Sequence, residues 1–344
     1  MRTAQIFPFV FALTLGLASC SNEAFEGPSI TTLFGEFEIL DSLQVSNASP
    51  DFSVNDQVGF HAEFNKDVDW TLVIEGLTSG SRKVITGFSN RLDSNAVVWT
   101  GGTSQVPFFT TEDCTVQLTV LDEPDTMHAE VTVLGTRLFE GIPVSDFESG
   151  IPEEALVFHQ FSMNMTFELG QDNPLMGTNY FKMGGRMGWN EWMLGQIDFP
   201  LQMEGVTASA ENFYLNLGVL SGIEGAFATD QYVNILISEA TGPFNDDLSN
   251  NGADVFQTDM EVYKYQIRPV DWLGWRYIAI PYSDFDVKSQ GGDNVRTPSD
   301  ITAIRLQCQS CPSANANCPE NADVDVRTDI DFVMFTENAP LLDQ

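Results

Sequence analysis

Positive charge is scarce in this chain of 344 residues: 15 Lys and Arg stand against 49 Asp and Glu, a formal net charge of −34. A field of that sign repels phosphate, which excludes nucleic acid and anionic lipid faces as general partners and leaves divalent cations and neutral or cationic ligands open. Such acidity also suits an exported protein that must stay soluble, so by itself it assigns no function. Histidine is rarer still, at three. His61 and His128 fall in alternating runs, where a single histidine is structural, and His159 alone lies beyond residue 140. No serine sits in Gly-x-Ser-x-Gly and no Glu-x-Asp-x-x-Glu occurs, so no catalytic group is assigned and the chain reads as non-catalytic.

Cysteine is limited to five. Cys20 closes an N-terminal segment in which Arg2 is the positive end, Ile6 to Leu17 the apolar run and Ala18-Ser19 the small residues before a cleavage point. The run is short and broken by Pro8, which argues against a membrane-spanning helix. Leu17-Ala18-Ser19-Cys20 resembles a bacterial lipobox. That resemblance implies a lipoprotein signal peptide over 1–19 and a mature N-terminus at Cys20 carrying acyl chains, palmitate among them. Removing the leader takes Arg2 with it and moves the charge to −35, 14 basic against 49 acidic. Residues 20–30 then read as an acidic tether. Ser21-Asn22-Glu23 resembles the export tag of Bacteroidetes surface lipoproteins, which implies an outer-membrane, lipid-anchored position at the cell surface.

The other four cysteines read as disulfide candidates in an exported chain, with three possible connectivities. Cys308, Cys311 and Cys318 cluster with no histidine near, one soft ligand short of a zinc site. The simplest pairing is Cys311 with Cys318 across Pro-Ser-Ala-Asn-Ala-Asn, with Cys114 and Cys308 left open.

Helical periodicity is missing throughout. Between 31 and 140, short alternating runs at 58–64, 70–74, 83–85, 97–99, 115–120 and 129–133 are separated by Gly, Asn, Asp and Ser. Six or seven such strands predict an Ig-like β-sandwich serving as a spacer. Val98-Trp99-Thr100-Gly101-Gly102 resembles the Trp-x-Gly turn of bacterial Ig-like modules. Residues 136–144, with Gly141 and Pro143, read as a hinge. From 141 to 340 nine further strands predict a jelly-roll β-sandwich, and Pro298-Ser299-Asp300 the one helical turn. The fold class expected is therefore all-β, an N-terminal Ig-like sandwich followed by a C-terminal jelly roll.

Asp146 to Gly150, Gly274 to Phe285, Ile301 to Leu306 and Asp329 to Val333 together resemble galactose-binding-like carbohydrate-binding modules and the related CIA30 type. The resemblance implies a structural Ca²⁺ shared by Glu148 and Asp331, oxygen ligands of the kind this hard cation requires. The competing reading makes Asp331 an outward polar residue of an alternating strand. The acidic loop 245–254 lacks EF-hand spacing and reads as a solvated loop.

Sugars offer flat C–H faces to exposed rings and hydroxyls to polar side chains. Arg186, Trp189, Asn190 and Trp192, after Gly184-Gly185, are the candidate ligand-binding rim, with Tyr265 and Trp272 as further members. The expectation is a surface lipoprotein that binds glycan non-catalytically through its C-terminal sandwich. An accessory subunit docking to an outer-membrane protein partner and a polysaccharide-degrading enzyme are the alternatives.

Overall fold

The computed structural model describes residues 35–138, 140–160, 164–186, 192–221, 228–247, 252–289 and 291–343. The signal segment, Cys20 and the tether up to residue 30 lie outside them. The chain is all-β, as its alternation predicts. None of the described helices is long and apolar enough to cross a membrane.

The N-terminal strands are β1 (Ile39–Val45), β2 (Val58–Gly76), β3 (Arg82–Leu92), β4 (Val98–Trp99), β5 (Asp113–Val120) and β6 (Thr126–Thr132). They form one antiparallel sheet in the order β1-β2-β5-β6, with β3 and β4 also on β2. The runs at 58–64 and 70–74 are one strand of 19 residues, not two. The polar Asn65-Lys66-Asp67 falls in a register irregularity between Glu63 and Val68, so it bends the strand without ending it. The first half then pairs with β1 and β4, the second with β5, and β3 pairs along both. Strict alternation on β5 buries Cys114, Val116, Leu118 and Val120 on one face. Trp99 is buried edge-on to Phe52 and Phe109 and donates its indole N–H to Gly102 O at 2.8 Å. Gly101, at φ +85°, makes that turn possible: a Cβ there would press into the Phe52 ring.

The C-terminal strands are β7 (Ile142–Ser145), β8 (Leu156–His159), β9 (Met165–Gly170), β10 (Tyr180–Arg186), β11 (Met193–Pro200), β12 (Phe213–Ser221), β13 (Gln231–Ser238), β14 (Asp246–Asp247), β15 (Gly252–Ala253), β16 (Val262–Ile267), β17 (Gly274–Pro281), β18 (Asp286–Val287), β19 (Ala303–Ser310) and β20 (Asp325–Glu337). One sheet runs β17-β12-β20-β10-β9 with β7 on β20. The other runs β18-β16-β13-β19-β11-β8. Between them lies a core that includes Phe147, Phe181, Ile197, Phe199, Leu217, Ile235, Leu306 and Phe335. The expected hinge at 136–144 is corrected in its last residues, because β7 pairs with β20 and belongs to this sandwich. Pro298–Asp300 forms one 3-10 turn, as its cap signal predicts.

Two local features shape the surface. In β20 the pairing steps from Gly218↔Asp331 to Leu217↔Val333, leaving Phe332 as a bulge at φ +24°. That conformation is costly for a bulky residue and is held by packing: Phe332 joins Leu175, Leu341 and Phe108, and the Phe108 and Phe332 rings meet at 5.6 Å. The N-terminal strands and the sandwich touch there. On the other sheet, residues 240–247 and 252–260 lie over part of the outer face, where Leu236, Val255, Phe256, Val262 and Ala303 form a second small core.

Candidate functional site

The outer face of the β18–β8 sheet carries side chains that its strands would otherwise give to solvent. Residues of β13, β19, β11 and β16 that turn away from the core are polar at successive positions: Tyr232 and Asn234, Arg305, Gln307 and Gln309, Gln196 and Asp198, Lys264 and Gln266. Register aligns them into rows. Gln196, Gln307, Asn234 and Gln266 lie side by side across four strands. With strands about 4.8 Å apart the row is roughly 14 Å long.

The row is a hydrogen-bonded relay. Gln266 Nε2 donates to Asn234 Oδ1 at 3.2 Å, Asn234 Nδ2 to Gln307 Oε1 at 2.6 Å and Gln307 Nε2 to Gln196 Oε1 at 2.8 Å. Gln309 Nε2 also donates to Gln307 Oε1 at 2.9 Å, while Tyr232 Oη donates to Gln309 Oε1 at 2.6 Å. Each bond donated by an amide uses one of its two N–H groups, so the relay fixes the side chains and leaves donor capacity on Asn234, Gln266, Gln307 and Gln309.

The two ends of the face differ. At one end Asp198 and Arg305 form a buried two-point ion pair at 2.7 and 2.6 Å. Ala253 N–H adds a bond to Asp198 at 2.8 Å, and the Phe256 ring covers the guanidinium at 4.3 Å. Gly252 is required beside them, since a Cβ there would overlap Arg305, Gln196 and Asp198. At the other end Arg268 is forked onto Asp230, with Nε at 2.7 Å, and lies 4.4 Å from the Tyr232 ring and 5.7 Å from the Trp192 ring. That pairing raises the arginine pKa further. Trp192 is 37% exposed. The amide row is therefore largely buried, with Gln196 1%, Asn234 5% and Gln307 8% exposed, and it ends at a fixed cation and an exposed indole.

The residues expected from sequence fall in different places. Trp192 is at this rim. Trp189 and Asn190 lie outside the described residues. Arg186 ends β10 on the opposite sheet and pairs with Asp323 at 3.1 Å and Asp325 at 3.6 Å. Tyr265 has the inward parity of Tyr263 and Ile267 and packs against Phe285 at 5.5 Å, so it supports the sheet from its core side. Trp272 is half-buried, donates to Val219 O at 3.3 Å and carries Arg276 on its ring at 4.6 Å. It lines a cavity of about 410 Å³ with Thr229, Asp230 and Leu273. Cys311 and Cys318 are bonded, while Cys114 and Cys308 are buried free thiols.

Glu148 and Asp331 converge on the loop 173–179. Asp331 is fully buried, not an outward strand residue. Its Oδ2 accepts from Leu175 N and Met176 N at 2.6 and 2.9 Å and its Oδ1 from Phe332 N at 2.8 Å. Glu148 accepts from Thr178 N and Asn179 N, both at 2.8 Å, and from Thr178 Oγ1 at 2.7 Å. Burial pushes Asp331 up to about 7 against the pull of those N–H groups, and the Glu148 charge adds to the rise. Neither carboxylate has a basic partner among the described residues. Both are oxygen donors of the kind a hard cation takes, and each already accepts three hydrogen bonds from the chain. No cluster of three or more His, Cys, Asp or Glu suited to a metal occurs among the described residues.

No family model and no curated protein matches the chain. Among solved structures, SGBP-B from a complex xyloglucan utilization locus in Bacteroides uniformis is 14% identical, covering 86% of this chain and 73% of that one, with a TM-score of 0.36. A non-crystalline cellulose specific carbohydrate-binding module, CBM28, is 17% identical, covering 57% of this chain and 94% of that one, at a TM-score of 0.32. The N-terminal tandem CBM22 domain of a Paenibacillus barcinonensis protein is 10% identical over 88% and 93%, at 0.30.

Proposed function

We propose that the protein binds a polysaccharide without cleaving it, on the outer face of the β18–β8 sheet. The observation that carries this reading is the row of linked amides crossing four strands beside an exposed indole. Amides offer donors and acceptors at fixed spacing to hydroxyls, and the indole offers a flat apolar face to a sugar ring. The lipobox-like Leu17-Ala18-Ser19-Cys20 supports attachment through acyl chains on Cys20, with the N-terminal strands as the spacer and the sandwich outward at the cell surface. Ca²⁺ would be held by Glu148 and Asp331. Its charge would balance the two carboxylates and keep loop 173–179 against β20.

Affinity electrophoresis and calorimetry of the whole chain against soluble plant and microbial polysaccharides test the reading. Retention by at least one, without release of oligosaccharide, is expected. Retention by none, with Ca²⁺ or with chelator, overturns it.

A further inference from the structure

The outer face of the β18–β8 sheet concentrates a resource the chain otherwise lacks. Four of its 15 basic residues stand there: Lys264, Arg268, Lys288 and Arg305. Two are neutralised in place, Arg268 by Asp230 and Arg305 by Asp198. Lys264 and Lys288 have no carboxylate at ion-pair distance among the described residues. Asp286 faces Lys264 in register yet is exposed and unpaired with it.

Position makes the two lysines part of the face. Lys264 shares the side of β16 that carries Gln266, two residues along, and sits in the row of Leu236 and Arg305. Lys288 follows β18, and its N–H donates to Val262 O at 2.8 Å, which fixes the backbone beside Lys264. Desolvation, then repulsion from Arg305 and Lys264, holds the Lys288 ammonium below its usual pKa. In a chain with more than three acids per base, two lysines side by side with no ion-pair partner, next to an amide row, leave positive charge available to an anionic ligand. The overall negative charge does not oppose this locally, because beyond about 8 Å exposed charges are screened at physiological salt.

We propose that the glycan bound on this face is acidic, its uronate carboxylate or sulfate ester received by Lys264 and Lys288 while neighbouring rings lie on the Gln266-Asn234-Gln307 row. This rests on the glycan-binding reading above. Two charge-assisted contacts to an anion are worth at least a tenfold preference.

The test is calorimetry of the whole chain with polygalacturonate and a sulfated galactan, each against its carboxyl-reduced or desulfated counterpart, and with neutral xyloglucan and galactomannan. At least one acidic polymer binds tenfold or more tightly than its neutralised counterpart, and which pair shows the ratio separates carboxylate from sulfate. Lys264→Gln with Lys288→Gln brings that ratio to about one, leaving the melting temperature unchanged. Lys288→Gln alone, at an exposed side chain with no hydrogen bond to lose, lowers the ratio partway. Neutral polymers binding as well as acidic ones, or a ratio indifferent to the lysine changes, overturns the inference and leaves glycan binding standing. Binding of no polymer removes both.

Discussion

Arg268 shows how one side chain organises the rim of the face. Its fork onto Asp230 fixes the guanidinium plane, and that plane lies between the Tyr232 and Trp192 rings. Arg268→Lys keeps the charge but loses both the fork and the stacking, so it behaves like Arg268→Ala: glycan affinity falls about tenfold with little change in melting temperature. Trp192→Ala lowers affinity by a similar or larger factor, about 1.4 kcal/mol per tenfold, and calorimetry of the variants measures both. Glu239 makes a different prediction. It is buried, accepts from Tyr282 Oη and Thr297 N at 2.6 Å each, and burial lifts it to about 7. The unfolded chain releases this proton near the ordinary Glu value, while the folded chain keeps it to about pH 7. The folded state therefore binds more protons in that window, and this group makes stability fall as pH rises from about 4.5 to 7. Glu239→Gln flattens that part of the stability curve, as urea unfolding between pH 5 and 8 measures.

At the level of elements, the floor depends on the chain that folds over its end. Asp198 and Arg305 are both buried, so Asp198→Ala leaves a cation without its partner and costs about 3–5 kcal/mol in urea unfolding. The all-β class and the staple from Cys311 to Cys318 were legible in alternation and in local spacing. The Arg305-Leu306-Gln307-Cys308-Gln309 stretch of β19 alternates polar with apolar residues. Alternation gives a polar face without saying that three neighbouring strands align their amides with it. That alignment is a matter of register between residues far apart in the chain. The same limit explains Tyr265, whose aromatic type suggested a ligand while its parity with Tyr263 and Ile267 directs it to the core.

At the scale of the whole molecule, Phe108 links the N-terminal strands to the bulge at Phe332, one residue from Asp331. Phe108→Ala empties that joint, costs about 3 kcal/mol and separates the thermal unfolding of the two parts, while glycan affinity is unchanged. If Glu148 and Asp331 hold Ca²⁺, chelator lowers the melting temperature of the native chain and not that of Asp331→Asn, and scanning calorimetry compares them. The central claim is that the amide row is the binding surface. Its most direct test is the affinity of a retained polysaccharide for the whole chain and for Asn234→Ala with Gln307→Ala. Loss of binding by tenfold or more, in a variant that still unfolds cooperatively, is predicted; binding equal to that of the native chain would contradict it.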